Sequence, residues 1–167
     1  MMLSFFDAAL IATTLSCALV AGLVFGFASV VMPGISKLPD KDFLLAFKHM
    51  DGIIQDNQPA FMLVWVGSIV STILMLVFGT EQLSGGQLYL MWFASGLYLL
   101  AVQAPTIRFN IPLNNAIQAL HIESLSETEL TKARAEFEGP WNWWNRFRTI
   151  TSILSVVALL VLQWMLR

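Results

Sequence analysis

Charged positions along the chain come in clusters, separated by long apolar runs. No residue is charged between Asp7 and Lys37, between Asp56 and Glu81, between Glu81 and Arg108, or between Arg148 and Arg167. A helix needs about 20 largely apolar residues to cross a bilayer core, and each run meets or approaches that length. The pattern predicts membrane spans at about 5–33, 59–80, 88–107 and 149–166. The last is short, but Arg148 and Arg167 at its ends can extend to the interfaces. The segment before Asp7 lacks Lys and Arg, and the apolar run continues through Val31. The first span therefore reads as a retained helix rather than a cleaved leader.

The segments between spans carry their own periodicity. After Pro39-Asp40, which reads as a helix start with Asp40 as N-cap, Phe43, Phe47, Met50 and Ile54 recur every three to four residues. That is an amphipathic helix, lying on the membrane surface or capping the bundle. Ser126-Glu127-Thr128-Glu129 is a capping-box pattern. It opens a charged, solvated helix that Gly139-Pro140 is expected to stop. The fold class predicted is all-α: one integral membrane domain over 1–167, a four-transmembrane-helix bundle with amphipathic or surface helices in the first and third loops.

Composition agrees. The chain is 57% hydrophobic and 12% charged, whereas soluble domains run at about 45–50% and about 25%. A soluble globular domain and a disordered chain are excluded. The net charge of −2 leaves no basic face for nucleic acid. A single cysteine, Cys17, excludes a disulfide framework and a Cys-based zinc site. Charge also orients the bundle. Lys37, Lys41, Lys48, Arg108, Lys132, Arg134, Arg146 and Arg148 fall on the side of the two large loops, against Arg167 alone on the side of the termini. The positive-inside rule makes the large loops cytoplasmic and both termini external, in a multi-pass protein of the cell's inner membrane.

Uncharged polar residues gather at that same loop-side end. They include Gln55, Asn57, Gln103, Asn110, Asn114 and Asn145, together with Arg108 and Arg148. Unpaired polar groups are costly in hydrocarbon. The cluster is therefore solvated at the interface with its Trp belt, or cross-braces the helices, or floors a ligand pocket; the pattern leaves all three open. His49-Met50-Asp51 and His121-Ile122-Glu123 hold metal-ligand types, but positions i and i+2 do not share a helix face, and no metal is expected. Gly22 and Gly26 form a GxxxG pair, extended backwards by Ala18, for close packing inside the bundle or in a homodimer. No nucleophile signature and no phosphate-binding loop is present.

Four stretches together resemble a known family: Gly22…Phe25-Gly26-Phe27-Ala28…Val31-Met32-Pro33-Gly34, Met50-Asp51-Gly52-Ile53-Ile54-Gln55 with Asn57, Pro59 and Phe61, Asn110-Ile111-Pro112-Leu113-Asn114, and Trp141…Trp144-Asn145-Arg146…Arg148-Thr149. In this order they are similar to the anthrone oxygenase-like family of small four-helix membrane proteins, largely catalogued as a domain of unknown function. Where many members carry Asn, this chain carries Asp51. The resemblance implies a cofactor-free oxidoreductase that oxidises a lipophilic aromatic substrate with O2. It implies His49 or Asp51 as the base and Arg148 as the oxyanion partner. Gln55, Asn57, Gln103, Arg108, Asn110, Asn114, Trp144 and Asn145 would bind substrate, with Trp144 stacking on its rings. The alternative is a non-enzymatic membrane protein that binds lipid or a partner protein.

The orientation is testable. A Thr128→Cys protein should resist a membrane-impermeant maleimide in intact cells and label after lysis. Labelling from outside would reverse the assignment.

Overall fold

The computed structural model describes residues 4–167. These form five helices: α1 (Phe5–Ile35), α2 (Asp40–Gln55), α3 (Pro59–Gln82), α4 (Gly85–Ala119) and α5 (Glu127–Met165). The fold is all-α, and α1, α3, α4 and α5 are long and apolar enough to cross a membrane. The chain is a membrane protein. Ser4 starts α1 through a reciprocal bond with Asp7, and Ser126 starts α5 with Glu129 in the same way. Such caps each contribute about 1 kcal/mol.

Three expectations are corrected. The helix that begins at Glu127 does not stop at Gly139-Pro140 but continues to Met165 as one element of 39 residues. Proline removes the donor to the carbonyl four residues earlier, here Glu136. Glu136, Gly139 and Pro140 are all exposed, so water can serve the freed carbonyl. The third span, expected to end at 107, continues past Pro112 to Ala119, leaving only Leu120–Ser126 as the third connection. Asp40 is the first residue of α2 and Pro39 its N-cap. Asp40 accepts from Thr131 and pairs with Arg134 instead, bonds that hold its carboxyl below the ordinary range.

The prolines explain the shape of α1 and α4. A π-helical turn precedes each of them: Phe27–Val31 before Pro33, Leu99–Gln103 before Pro105, Thr106–Asn110 before Pro112. A wider turn relieves the clash of the ring with the preceding carbonyl and turns the following residues to a new face. The Ala101 carbonyl, four residues before Pro105, accepts from Thr151 Oγ1 of α5 at 3.1 Å. Neighbouring hydroxyls satisfy helix breaks in membranes in this way.

Two cores result. One lies among the spans, around Leu10, Met75, Met91, Tyr98 and Leu159. The other lies at the loop-side end, where Phe43, Leu44 and Phe47 of α2 pack on Ile117, Leu130, Phe137 and Trp141. So α2 caps the bundle. Arg134 fastens the approach to it, donating to the carbonyls of Ser36 at 2.7 Å and Leu38 at 2.9 Å, beneath the Phe43 ring.

The glycines divide sharply. At Gly22 and Gly26 an added Cβ meets nothing within 4 Å, and Gly22 is exposed. Neither glycine serves packing inside the bundle, which overturns that alternative. At Gly79 neighbouring side chains press against the helix: a Cβ there would collide with Met91 Sδ and lie 2.7 Å from Phe6 Cε2. Overpacking of this kind costs about 1–3 kcal/mol. Gly79→Val should therefore lower the thermal midpoint in detergent by several degrees, while Gly22→Ala leaves it unchanged or raised. Equal effects would contradict the packing described.

Candidate functional site

Beneath α2, at the loop-side end of the four spans, lies a cavity of about 220 Å³. Apolar cavities of about 150 Å³ take up benzene, so this one accommodates more than a single small ring. Every helix contributes. Leu23, Val24 and Phe27 come from α1, Phe47, Asp51, Ile54 and Gln55 from α2, and Phe61, Met62 and Trp65 from α3. Thr106, Asn110, Ile111 and Asn114 come from α4, and Trp141, Asn145 and Arg148 from α5. Asn57, in the turn between α2 and α3, completes the wall at a positive φ of 57° that asparagine tolerates. One part of the lining is aromatic and aliphatic; the other is amide, carboxylate and guanidinium.

Helical spacing produces this division. Trp141, Asn145 and Arg148 stand at i, i+4 and i+7 on α5, one face of a helix with 3.6 residues per turn. Phe47, Asp51 and Ile54 repeat that spacing on α2. Asn110, Asn114 and Gln118 recur every four residues on α4, brought to face the cavity and α2 by the π turn Thr106–Asn110.

Arg148 is buried, only 7% exposed. Nη1 donates to Thr106 Oγ1 and Nη2 to Asn145 Oδ1, both at 2.9 Å. Its Nε has no partner, and neither has Asn110 Oδ1. Among the described residues no carboxylate forms an ion pair with Arg148. A buried charge without a counter-charge costs several kcal/mol, so this wall of the cavity favours an anion. Asn145 is itself locked, since its Nδ2 donates to Val24 O at 3.0 Å.

Among the described residues Asp51 is the one acid in the lining, and it lies within a sleeve of amides. Asn114 Nδ2 donates to Oδ1 at 2.7 Å, and Gln118 and Gln55 donate to Oδ2 at 2.9 Å and 3.3 Å. Trp141 Nε1 donates to Asn114 Oδ1 at 2.8 Å. An indole only donates, so this bond turns the Asn114 NH2 toward Asp51. Burial pushes the Asp51 carboxyl above its ordinary 3.8, against the three amides that favour its charged form. The ionised form therefore weighs against the fold above that raised pKa, a penalty that fades as pH falls through it. A carboxyl so raised is a stronger base than an exposed one.

Of the residues singled out from sequence, Asp51, Gln55, Asn57, Asn110, Asn114, Asn145 and Arg148 line the cavity together. The other four lie elsewhere. His49 is exposed on the other side of α2, beside Lys48 and His121 in a surface groove. Two residues from Asp51, it is turned about 200° around the helix. Arg108 is exposed, over the Phe109 ring. Trp144 stacks on Phe109 with centroids 3.8 Å apart, because one residue before Asn145 it points about 100° away. Gln103 is buried behind Trp65, whose Nε1 donates to its Oε1 at 2.9 Å. Sequence reasoning left out Phe47, Trp65, Thr106, Gln118 and Trp141 as site residues. The fourfold spacing to Asp51, Asn114 and Asn145 was the available signal for Phe47, Gln118 and Trp141.

The fold and the cavity define a class: a four-span membrane bundle holding an aromatic cavity with, among the described residues, one carboxylate and one cation without an acid partner, closed by an amphipathic cap. Comparison with known families places it more closely. The family model described as anthrone oxygenase matches residues 53–158, and the chain belongs to this family. The match covers Gln55 to Arg148 of the cavity wall but begins just after Asp51. No curated protein and no solved structure matches the chain.

The state of Asp51 is measurable. Infrared difference spectra over a pH titration should show a carboxyl that protonates above pH 3.8 and is absent from Asp51→Asn. A band titrating at or below that value would contradict the buried, amide-sheathed environment.

Proposed function

We propose that the chain is a cofactor-free oxygenase of the cell's inner membrane, oxidising a lipophilic aromatic ketone of the anthrone type at the cytoplasmic end of its bundle. The observation that carries the reading is Arg148, a buried cation on the cavity wall with no acid beside it and Nε unpartnered. Asp51 supplies the complementary group, a base of raised pKa on the same cavity.

The chemistry needs little else. An anthrone carries a CH2 flanked by two rings, opposite a carbonyl. Asp51 takes one proton from that carbon, and the electron pair moves onto the carbonyl oxygen. Arg148 holds the resulting oxyanion, with Thr106 and Asn145 fixing its guanidinium. Donors preorganised for developing charge supply the largest single contribution in many enzymes. The electron-rich anion passes electrons to O2, and a C–O bond forms at the former CH2. The proton held by Asp51 completes the hydroperoxide. Loss of water, using the remaining hydrogen of that carbon, leaves the second carbonyl. One O2 enters and one H2O leaves. Trp141, Phe47, Phe27 and Trp65 provide ring faces for the flat substrate.

Oxygen uptake with anthrone by the purified protein in detergent tests this. Asp51→Asn should lower the rate by about 10²–10⁴, the range for a lost general base. Arg148→Gln should lower it by about 10²–10³, as for a lost oxyanion donor. The activity of the unaltered protein should fall on acidification at a pH above 3.8, because Asp51 must be ionised to act. Folded variants that consume O2 at the unaltered rate would overturn the assignment.

A further inference from the structure

The wall of spans around the cavity is not equally tight. α1 packs along α3 and α5, and α4 packs along α5. α3 and α4 meet near their short connection, where Gly79 touches Met91. Among the described residues, α3 makes no extended backbone contact with the part of α4 beyond Tyr98. The π turns and prolines of α4 lie in that part, and the two helices part there.

Side chains bridge the cleft instead. Trp65 Nε1 donates to Gln103 Oε1 at 2.9 Å, and Gln103 Nε2 to the Tyr98 hydroxyl at 2.7 Å. That hydroxyl donates to Ser68 Oγ at 2.6 Å, and Ser68 Oγ to Trp65 O at 2.6 Å. The bonds close a loop that begins and ends on Trp65, and each donor finds one acceptor. Trp65 is half-buried yet lines the cavity, so it stands between the cavity and the outside. Val66 of α3, next to Trp65, and Leu100 and Ile107 of α4, three and four residues from Gln103, are exposed and apolar, a surface suited to lipid chains. Gln55 and Asn57, lining residues that are also exposed, are polar.

We propose that ligands of the cavity enter and leave sideways from the bilayer, through the cleft between α3 and the loop-side half of α4, and that Trp65 and Gln103 are its gate and set its selectivity. The proposal rests on the reading of the cavity as a site for a lipophilic aromatic ketone. Opening the gate in hydrocarbon would strand the Trp65 N–H and the Gln103 amide, which is costly. A ligand carbonyl accepts from Trp65 as Gln103 lets go, so the gate passes aromatic ketones faster than hydrocarbons of the same shape.

The test uses the full chain in phosphatidylcholine nanodiscs, with anthraquinone as probe, its binding read by tryptophan quenching and its exchange by stopped flow. Gln103→Leu and Trp65→Phe should each speed exchange about fivefold, the equivalent of one net neutral hydrogen bond. In the unaltered protein the entry rate should follow the probe's mole fraction in the lipid, and anthracene should enter more slowly than anthraquinone. Anthraquinone-2-sulfonate, confined to water and the membrane surface, should gain nothing from either substitution. Quenching with rates that ignore both substitutions, or a sulfonate that exchanges as fast as its parent, overturns the gate alone. No quenching by anthraquinone overturns the aromatic-ketone reading and the gate with it.

Discussion

The guanidinium of Arg148 is the constraint around which the loop-side end is built. It sits inside the bundle on neutral partners, Thr106 of α4 and Asn145 of its own helix. Asn145 in turn is tied to the backbone of α1 through Val24 O. One cation therefore brings α5, α4 and α1 together. It does so without a carboxylate, whose presence would neutralise the charge and remove its pull on an anionic group in the cavity. Asp51 is occupied instead by amides of α4 and of its own helix α2. The two charges share a cavity without sharing a bond, which keeps both available for chemistry.

Proline supplies the second constraint. A regular helix from Gly85 to Ala119 would hold one face toward its neighbours throughout. Pro105 and Pro112, each after a π turn, shift that face as the chain approaches the loop side. Gln103, Thr106, Asn110 and Asn114 are thereby brought inward. The same breaks leave α3 without a backbone neighbour at this level, and the hydrogen-bond loop through Trp65, Gln103, Tyr98 and Ser68 closes the gap. The cavity and the gap between α3 and the loop-side part of α4 have a common cause in the irregularity of α4.

The cap completes the enclosure. α2 buries Phe43, Leu44 and Phe47 against α4 and α5 and hands Asp51 to the cavity on the same face. Phe47 meets Phe137 at 4.4 Å and Trp141 at 5.4 Å between ring centroids. An aromatic core thus holds the element that carries Asp51. The Asn114 bridge between Trp141 and Asp51 links that core to the charge.

Much of this architecture was legible in the chain. Long uncharged runs, the amphipathic repeat from Phe43 and the Ser126 capping box each follow from local rules of burial and capping, which depend on neighbours in sequence. The convergence of amides and Arg148 on one end followed from helix parity, and with it six of the seven predicted residues that line the cavity; Asp51 entered through the family resemblance. The rest depended on contacts between helices. Pro140 does not end α5, because the carbonyl it frees belongs to Glu136, an exposed residue that water can reach. Pro105 does not end α4, because Thr151 of another helix serves Ala101 O. Local rules read Pro140 as a stop. His49 and Trp144 lie beside true site residues in sequence but on other faces of their helices. Residue type and spacing therefore determined the spans, the cap and the polar end. Which polar groups face one another, and that Arg148 is left without an acid, was decided by packing, since charge compensation in a bundle depends on rotation and distance between helices that the order of residues does not specify.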